Sequence, residues 1–310
     1  MPTRTIAVLA NPMARKGTGR QIAGEVDQLL RGHGVAARIL VGADLADAER
    51  LAAQAVADDT VEALVAVGGD GSIRLALEAA AGSSTPVGII PAGTANDLAR
   101  TLGVPLRDLP AAVGIIVDGH TAPIDLGRAR LAGADGDPAE ALFVTVAATG
   151  FDADVTDRAN HMRWPRGKAR YLVAAVAEVA RLAPRRFTVR VDGDTVVDGD
   201  VIFTAIGNTR SYGGGMLITP DADLHDGLLD ATIATKVPGV GRMTLLRLLP
   251  TVFSGKHVEQ EMVRTARGSR IEVDSTPPAL VSVDGDIVGR LPATFETIPD
   301  AVRVLVPRTA

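Results

Sequence analysis

Residues 65–80, VAVGGDGSIRLALEAA, decide the fold. A strand-like apolar run stops at Gly68, and a helix-like pattern begins at Ser72. Between them stand Gly68, Gly69 and Gly71, with one carboxylate, Asp70, set among the glycines. Glycines after a strand admit positive φ and let a ligand come close to the backbone. Bare N–H groups followed by a helix N-terminus suit phosphate oxygens. Asp70 does not fit that picture alone, because a carboxylate repels phosphate. Two readings resolve the conflict. In one, a divalent cation or its water lies between the two; Mg²⁺ takes oxygen ligands and bridges nucleotide phosphates, and Ser72 adds a hydroxyl. In the other, the stretch is a tight turn and Asp70 is a cap.

Outward from this stretch, the first 120 residues alternate. RTIAVLA (4–10), VAARILV (35–41), EALVAVGG (62–69) and PVGIIP (86–91) read as buried strands. Helical patterns follow them at 20–32, 45–57, 72–81 and 94–102. Such alternation predicts an α/β domain with a parallel sheet and helices on its faces. Ligands of such sheets bind beyond the carboxyl ends of the strands. Three polar glycine-bearing loops fall there: NPMARKGTG (11–19), GGDGS (68–72) and PAGTAND (91–97). They offer Asn11, Arg15, Lys16, Gly17 and Gly19 from the first, and Gly93, Thr94, Asn96 and Asp97 from the third. The third loop also reads as a helix capped by Thr94 or Asn96. Neither the Walker A spacing nor a G-x-G-x-x-G after the first strand is present.

Beyond about residue 123 the texture changes to short strand-like runs such as ALFVTVAA, RFTVRVDGD, ALVSVDGD and AVRVLVP. Asp-Gly pairs between such runs signal tight hairpins. This predicts an antiparallel β-sandwich or open barrel over 123–310, interrupted by helices near 166–182 and 239–253. The first domain then covers 1–122, with the extreme C-terminal residues packing back on it.

At 310 residues, two domains are expected. The net charge of −5 argues against a general nucleic-acid binder. With no cysteine, disulfides, thiolate nucleophiles and cysteine metal sites are excluded. No apolar run reaches the ~18 residues of a spanning helix, and the N-terminus lacks the pattern of a signal peptide. A cytoplasmic protein is expected.

VGGDGSI with PAGTANDLAR resembles the catalytic domain of the diacylglycerol kinase and bacterial lipid kinase family, to which sphingosine kinases are related. The likeness extends to NPMARKG, AATGFDADV (147–155), GNTRSYGGGMLITPDADLHDGLLD (207–230) and VSVDGD (281–286). It implies an NAD kinase/phosphofructokinase-like α/β domain that holds ATP, and a β-sandwich domain for the lipid. It implies nucleotide contacts from Gly68, Gly69, Asp70, Gly71, Ser72 and Thr94. The proton acceptor, a Glu in the family's D-G-E motif, falls on Asp286 of Asp284-Gly285-Asp286. A structural Mg²⁺ would be held by a loop matching Asp223, Asp226 and Leu228, partly through backbone oxygens. Asp70 and Asp97 would orient Mg²⁺ through water, and Asn11, Gly93 and Asn96 would complete the nucleotide loops. Four positions depart from the pattern: Asp286 is one methylene shorter, Ser72 replaces a commoner Thr, Gly42 stands where relatives carry an ATP-contacting Thr, and Arg15 stands where a small residue is usual. Without the family, DGD reads as a hairpin turn like Asp192-Gly193-Asp194, and DADLHDGLLD as a turn with solvated acids.

Residues 158–190 carry nine Arg or Lys against one acid, Glu178, and include the only tryptophan, Trp164. This segment reads either as a surface for an anionic membrane or as a solvated helix face with Trp packed beneath. The reading is an ATP- and Mg²⁺-dependent kinase acting on a membrane lipid, most simply diacylglycerol. Rivals are an NAD kinase-like enzyme, a non-catalytic lipid-binding regulator of the same fold, and a nicotinamide oxidoreductase. The lipid's identity and the oligomeric state are not legible.

Overall fold

The computed structural model describes residues 5–12, 17–132, 138–162, 164–165, 168–181, 185–236 and 250–308. Two compact units emerge: Met1–Asp125 with Pro299–Ala310, and Leu126–Ile298. Texture alone had put the boundary near residue 122.

The first unit begins β1 (Thr5–Ala10), α1 (Gly19–Gly32), β2 (Ala36–Leu40), α2 (Leu45–Val56), β3 (Val61–Gly68), α3 (Asp70–Ala80) and β4 (Val87–Pro91). The strands pair in parallel in the order β2-β1-β3-β4. All of β4 and nearly all of β1 and β3 are buried. Helices cover both faces of such a sheet, so its strands read as continuous apolar runs rather than alternating ones. α1 buries Ile22, Ala23, Val26 and Leu30 along one stripe, the spacing of an amphipathic helix. α2 starts where Asp44 Oδ1 accepts from the Asp47 amide at 2.9 Å. A Cβ on Gly42 would stand 2.7 Å from the Ala48 nitrogen, so this corner has no room for the family's Thr.

After β4 come α4 (Asp97–Thr101) and α5 (Leu109–Asp118). α4 is shorter than the helix expected over 94–102, because Asn96 adopts a left-handed conformation, φ 52°. The sequence reading passed over α5, although its signals are local. Asp108 caps its start, Pro110 sits in its first turn, and Gly119 ends it at φ 66°. Residues 299–310 complete this unit: Val304 pairs with Val87, and the Val306 amide donates to the His120 carbonyl at 3.0 Å. The Asp300 amide donates to the buried Asp125 carboxylate at 2.8 Å.

The chain enters the second unit along β5 (Thr121–Ala132), then forms β6 (Pro138–Phe143), β7 (Val146–Gly150), α6 (Phe151–His161) and α7 (Lys168–Arg181). β8 (Arg185–Val191), β9 (Asp194–Gly207), β10 (Leu229–Thr235), β11 (Val263–Gly268), β12 (Arg270–Thr276), β13 (Leu280–Val283) and β14 (Asp286–Leu305) follow. One layer runs β11-β10-β9-β7-β13-β14. Long β9 and β14 bend out of it: the start of β9 pairs with β8, and Ala293–Glu296 of β14 with β12, which also pairs with β8. The result is an antiparallel sandwich. Its core holds Phe143, Phe187, Val281, Ile206, Val273 and Phe295, with the Phe143 and Phe295 rings edge-to-face at 6.4 Å.

α7 stands close to the helix expected over 166–182. α6 was not expected at all. Its first turn holds Asp152 and Asp154 and its last Arg158 and His161, charges that match the helix dipole. Of the helix read over 239–253, residues 239–249 lie outside the described residues, as do Arg15 and Lys16. Among the described residues no helix is long and apolar enough to cross a membrane.

Candidate active site

In the first unit, the glycine loops after β3 and β4 touch through their backbones. A Cβ on Gly93 would lie 2.4 Å from Gly69 Cα and 2.6 Å from Asn96 Oδ1. A Cβ on Gly68 would strike Ser72 Oγ. These glycines are needed for close packing of loop on loop. Gly71 is different: it is exposed, its φ is not positive, and a Cβ there would meet nothing within 4 Å. It leaves an open backbone approach in the first turn of α3.

Asp70 ties the two loops together. Its Oδ1 accepts from the Asp97 amide at 2.8 Å and its Oδ2 from the Asn96 amide at 3.0 Å. Asp70 is therefore a cap, but of α4 rather than of its own helix. Asn96 is buried and folds back on its own loop, accepting from the Gly93 amide at 2.9 Å and donating to the Gly93 carbonyl at 3.1 Å. The Asn96 side chain thus shapes the loop rather than facing outward. Asp97 is also buried, while Thr94 is exposed at the loop tip. Asn11 donates to Ser72 Oγ at 3.3 Å, which brings the loop after β1 to the same rim. Asn11, Gly68–Ser72 and Gly93–Asp97 thus form one cluster. Its donors, helix-start amides beside an open glycine and the hydroxyls of Ser72 and Thr94, are of the kind that suit phosphate oxygens.

In the second unit, Asp284 and Gly285 make the turn between β13 and β14, both at positive φ (48° and 91°). The same backbone recurs at Asp192-Gly193. Both aspartates pin a neighbouring segment. Asp192 accepts from the Ser269 hydroxyl and the Arg270 amide. Asp284 accepts from the amides of Val144 and Thr145, both at 2.9 Å, and from that of Val146 at 3.3 Å. Sequence reasoning missed this role for Asp284, because its partners lie 138–140 residues away. Asp286, next along, is exposed at the start of β14. Asn160 of α6 donates to the Gly285 carbonyl at 3.1 Å and so fixes the turn against the helix.

His161, the next residue, lines a cavity of about 760 Å³ within this unit. Phe151, Met162 and Ile202 give it apolar wall. Part of its charged wall is paired, Asp154 with Arg185 at 3.0 Å and Glu178 with Arg158, and Asp157 and Arg181 line it as well. Nearby, Asp152 accepts from the Tyr212 hydroxyl at 2.6 Å, joining α6 to the SYGGGM segment. Its Oδ2 is enclosed without a hydrogen-bond partner. Burial pushes this carboxyl up to about 6, with the Tyr212 hydrogen bond opposing.

Asp223, Asp226 and Leu228 share the loop before β10. Asp223 Oδ1 accepts from the His225 amide and Asp226 Oδ1 from the Leu228 amide, two tight turns in succession. Asp226 Oδ2 stands 3.6 Å from Arg267, which also binds Asp230 at 3.0 Å and the Asp221 carbonyl. Among the described residues no three His, Asp or Glu side chains converge as metal ligands. The donor chemistry still fits one hard cation. Four aspartates (221, 223, 226 and 230) stand in ten residues of sequence with one arginine on them. Asp226 Oδ2 keeps lone pairs, and the loop adds backbone carbonyls.

Residues 5–129 match the diacylglycerol kinase catalytic domain, and residues 145–306 match the YegS C-terminal NAD kinase beta sandwich-like domain. A "Diacylglycerol kinase" of Mycobacterium tuberculosis (strain CDC 1551 / Oshkosh) is 46% identical, over 98% of this chain and 95% of its own length. A "Probable lipid kinase YegS-like" of Stenotrophomonas maltophilia (strain K279a) is 32% identical, over 89% of both. The crystal structure of a diacylglycerol kinase from Bacillus anthracis str. Sterne has the same fold, with a TM-score of 0.71 at 17% identity, covering 99% of this chain and 97% of that one. The glycine-loop cluster and the sandwich thus sit in a chain that belongs to the diacylglycerol kinase catalytic-domain family and is a lipid kinase.

Proposed function

We propose that this kinase transfers the γ-phosphoryl group of Mg-ATP to a hydroxyl of a membrane lipid, with diacylglycerol as the acceptor. The observation that carries the donor half is the Asp70 bridge. It clamps two glycine loops together while Gly71 stays open beside helix-start amides. In this reading the Gly68–Ser72 loop, with Asn11, Gly93 and Thr94, cradles the phosphates. Asn96 keeps that loop in shape. Asp70 and Asp97 order water on the magnesium that accompanies ATP. The acceptor oxygen attacks the γ-phosphorus, the bond to the β-γ bridging oxygen breaks, and ADP leaves. Asp286, exposed at the start of β14, takes the acceptor's proton. The lipid's polar end enters the cavity beside α6, a reading supported by the Asn160–Gly285 bond that joins the cavity's helix to the Asp286 turn.

A resident Mg²⁺ at Asp226, with backbone oxygens of Asp223 and Leu228, would rigidify its loop and take no part in transfer. The enzyme works from the cytoplasm in peripheral contact with an anionic membrane.

The test is transfer of labelled γ-phosphate from Mg-ATP to diacylglycerol, monoacylglycerol and a sphingoid base in mixed micelles, with Asp286→Ala alongside. Labelled diacylglycerol, lost in the variant, is expected. Labelling of another lipid alone would replace the acceptor. ATP binding with no labelled lipid would overturn the reading in favour of a non-catalytic lipid binder.

A further inference from the structure

α7 is apolar on two opposite faces, and only one of them is covered. Inward, Ala174 is fully buried and packs with Val155 and Ala159 of α6. Outward, Ala169, Val173, Val176 and Ala180 recur at spacings of four, three and four and make a single stripe. All four are exposed, Val173 at 46% and Val176 at 49%. A helix face meant for water carries Lys and Glu at such positions. The one acid of the segment, Glu178, is turned the other way and pairs with Arg158.

Arg170 flanks this stripe and lies 5.5 Å over the ring of Tyr171, which is exposed on the other side of the helix. Arg181 closes the helix, exposed but on the side of Glu178, with which it lines the cavity beside α6. Just before the helix stands Trp164, 81% exposed, so it is not packed beneath the helix. Residues 158–181 carry six Arg or Lys against one acid, Glu178, a net +5 in a chain of −5.

We infer that the outward face of α7, with Trp164, is a docking surface for an anionic lipid bilayer. Small apolar side chains with Arg170 beside them and Trp164 before the helix suit the headgroup–acyl boundary. Negative headgroups complement the arginines. A second copy of this chain is the poorer occupant, because a symmetric α7–α7 contact would set the arginines of one copy against those of the other. This surface rests on the reading of a membrane-lipid acceptor, and it adds where the bilayer meets the enzyme.

Trp164 is the only tryptophan, so its fluorescence reports this surface directly. The full chain, without nucleotide, is mixed with vesicles of phosphatidylcholine alone or with added phosphatidylglycerol. A blue shift with the anionic vesicles, reversed by salt, is expected. Co-sedimentation should fall about tenfold in Val173→Glu/Val176→Glu, which removes apolar contact and adds repulsion. That variant should keep its melting temperature, since both sites are exposed. It should also keep its rate on a dispersed short-chain diacylglycerol. Trp164→Ala supplies a second variant that leaves the core untouched.

An unchanged Trp spectrum with anionic vesicles, equal binding by the variants, or loss of a dimer in the variants without vesicles would each overturn the inference. Vesicle binding that the variants abolish, in a protein that phosphorylates no lipid, would leave the surface standing and sink the proposed function instead.

Discussion

Asp70 caps a helix that is not its own. Its carboxylate accepts from the backbone amide of Asp97, 27 residues away, at 2.8 Å, and so joins the two glycine loops of the first unit. Asp70→Ala should leave the amides of Asn96 and Asp97 without their acceptor. The expected loss is about 1–3 kcal/mol of stability and most of the ATP affinity, read by urea unfolding and by nucleotide titration. If stability falls and ATP binding does not, the cradle assignment is wrong.

Two glycine substitutions separate packing from ligand approach. Gly93→Ala drives a Cβ to 2.4 Å from Gly69 Cα, so both stability and ATP binding should fall. Gly71→Ala has open space and a helical position in α3. It should raise stability by roughly 0.5–1 kcal/mol while weakening ATP binding. Equal ATP affinity in Gly71→Ala would show that no ligand passes over that backbone.

For Asp286, removal and lengthening should act in opposite directions. Asp286→Ala is expected to lower kcat by about 10²–10⁴-fold, with KM for ATP unchanged. Asp286→Glu, which restores the family's longer side chain, should match or exceed the native rate. A kcat in Asp286→Ala within a few-fold of the native enzyme would assign the proton to another group.

The buried Asp152 carboxyl should leave a mark on stability against pH. Its folded-state value is raised to about 6, from an ordinary 3.8, by burial. Between those values the folded chain holds a proton that the unfolded chain has lost. Stability from this group is therefore full below about pH 4, declines as pH rises through 6, and is constant above. The native protein should lose of order 1–3 kcal/mol across that window relative to Asp152→Asn. Parallel curves for the two proteins would remove the argument.

The acidic loop before β10 predicts a metal effect distinct from catalysis. Without nucleotide, Mg²⁺ should raise the melting temperature of the native chain and not that of Asp226→Ala. Arg267→Met should steepen the dependence on Mg²⁺, because it frees Asp226 and Asp230 from their cation. No Mg²⁺ effect on either protein would leave Arg267 as the sole counter-charge.

The parallel half of the fold was legible because its strands are buried on both faces and their glycine loops are local features. α5 could also have been found, since Asp108, Pro110 and Gly119 are all local signals. α6 was harder, because its stability lies in packing on α7 and in end charges rather than in propensity. The loops after β1, β3 and β4 could be placed at one rim from sequence, but the inward turn of Asn96 depends on a left-handed backbone that sequence does not announce. The Asp284 carboxylate and its amide partners at 144–146 meet only through tertiary pairing of β13 with β7. No window of sequence contains both. The cavity beside α6 likewise draws its lining from residues 151 to 277.

Residues 299–310 belong to the first unit, where Val304 pairs with Val87 and Asp300 meets Asp125. During synthesis this unit stays unfinished while the 173 residues of the second emerge. The β4 edge waits for Val304 until residues 299–310 have left the ribosome. A chain stalled or cut within β14 would therefore expose an open parallel edge in the first unit rather than lose a dispensable tail. Domain-by-domain folding from the N-terminus, common in two-unit proteins, is closed to this one.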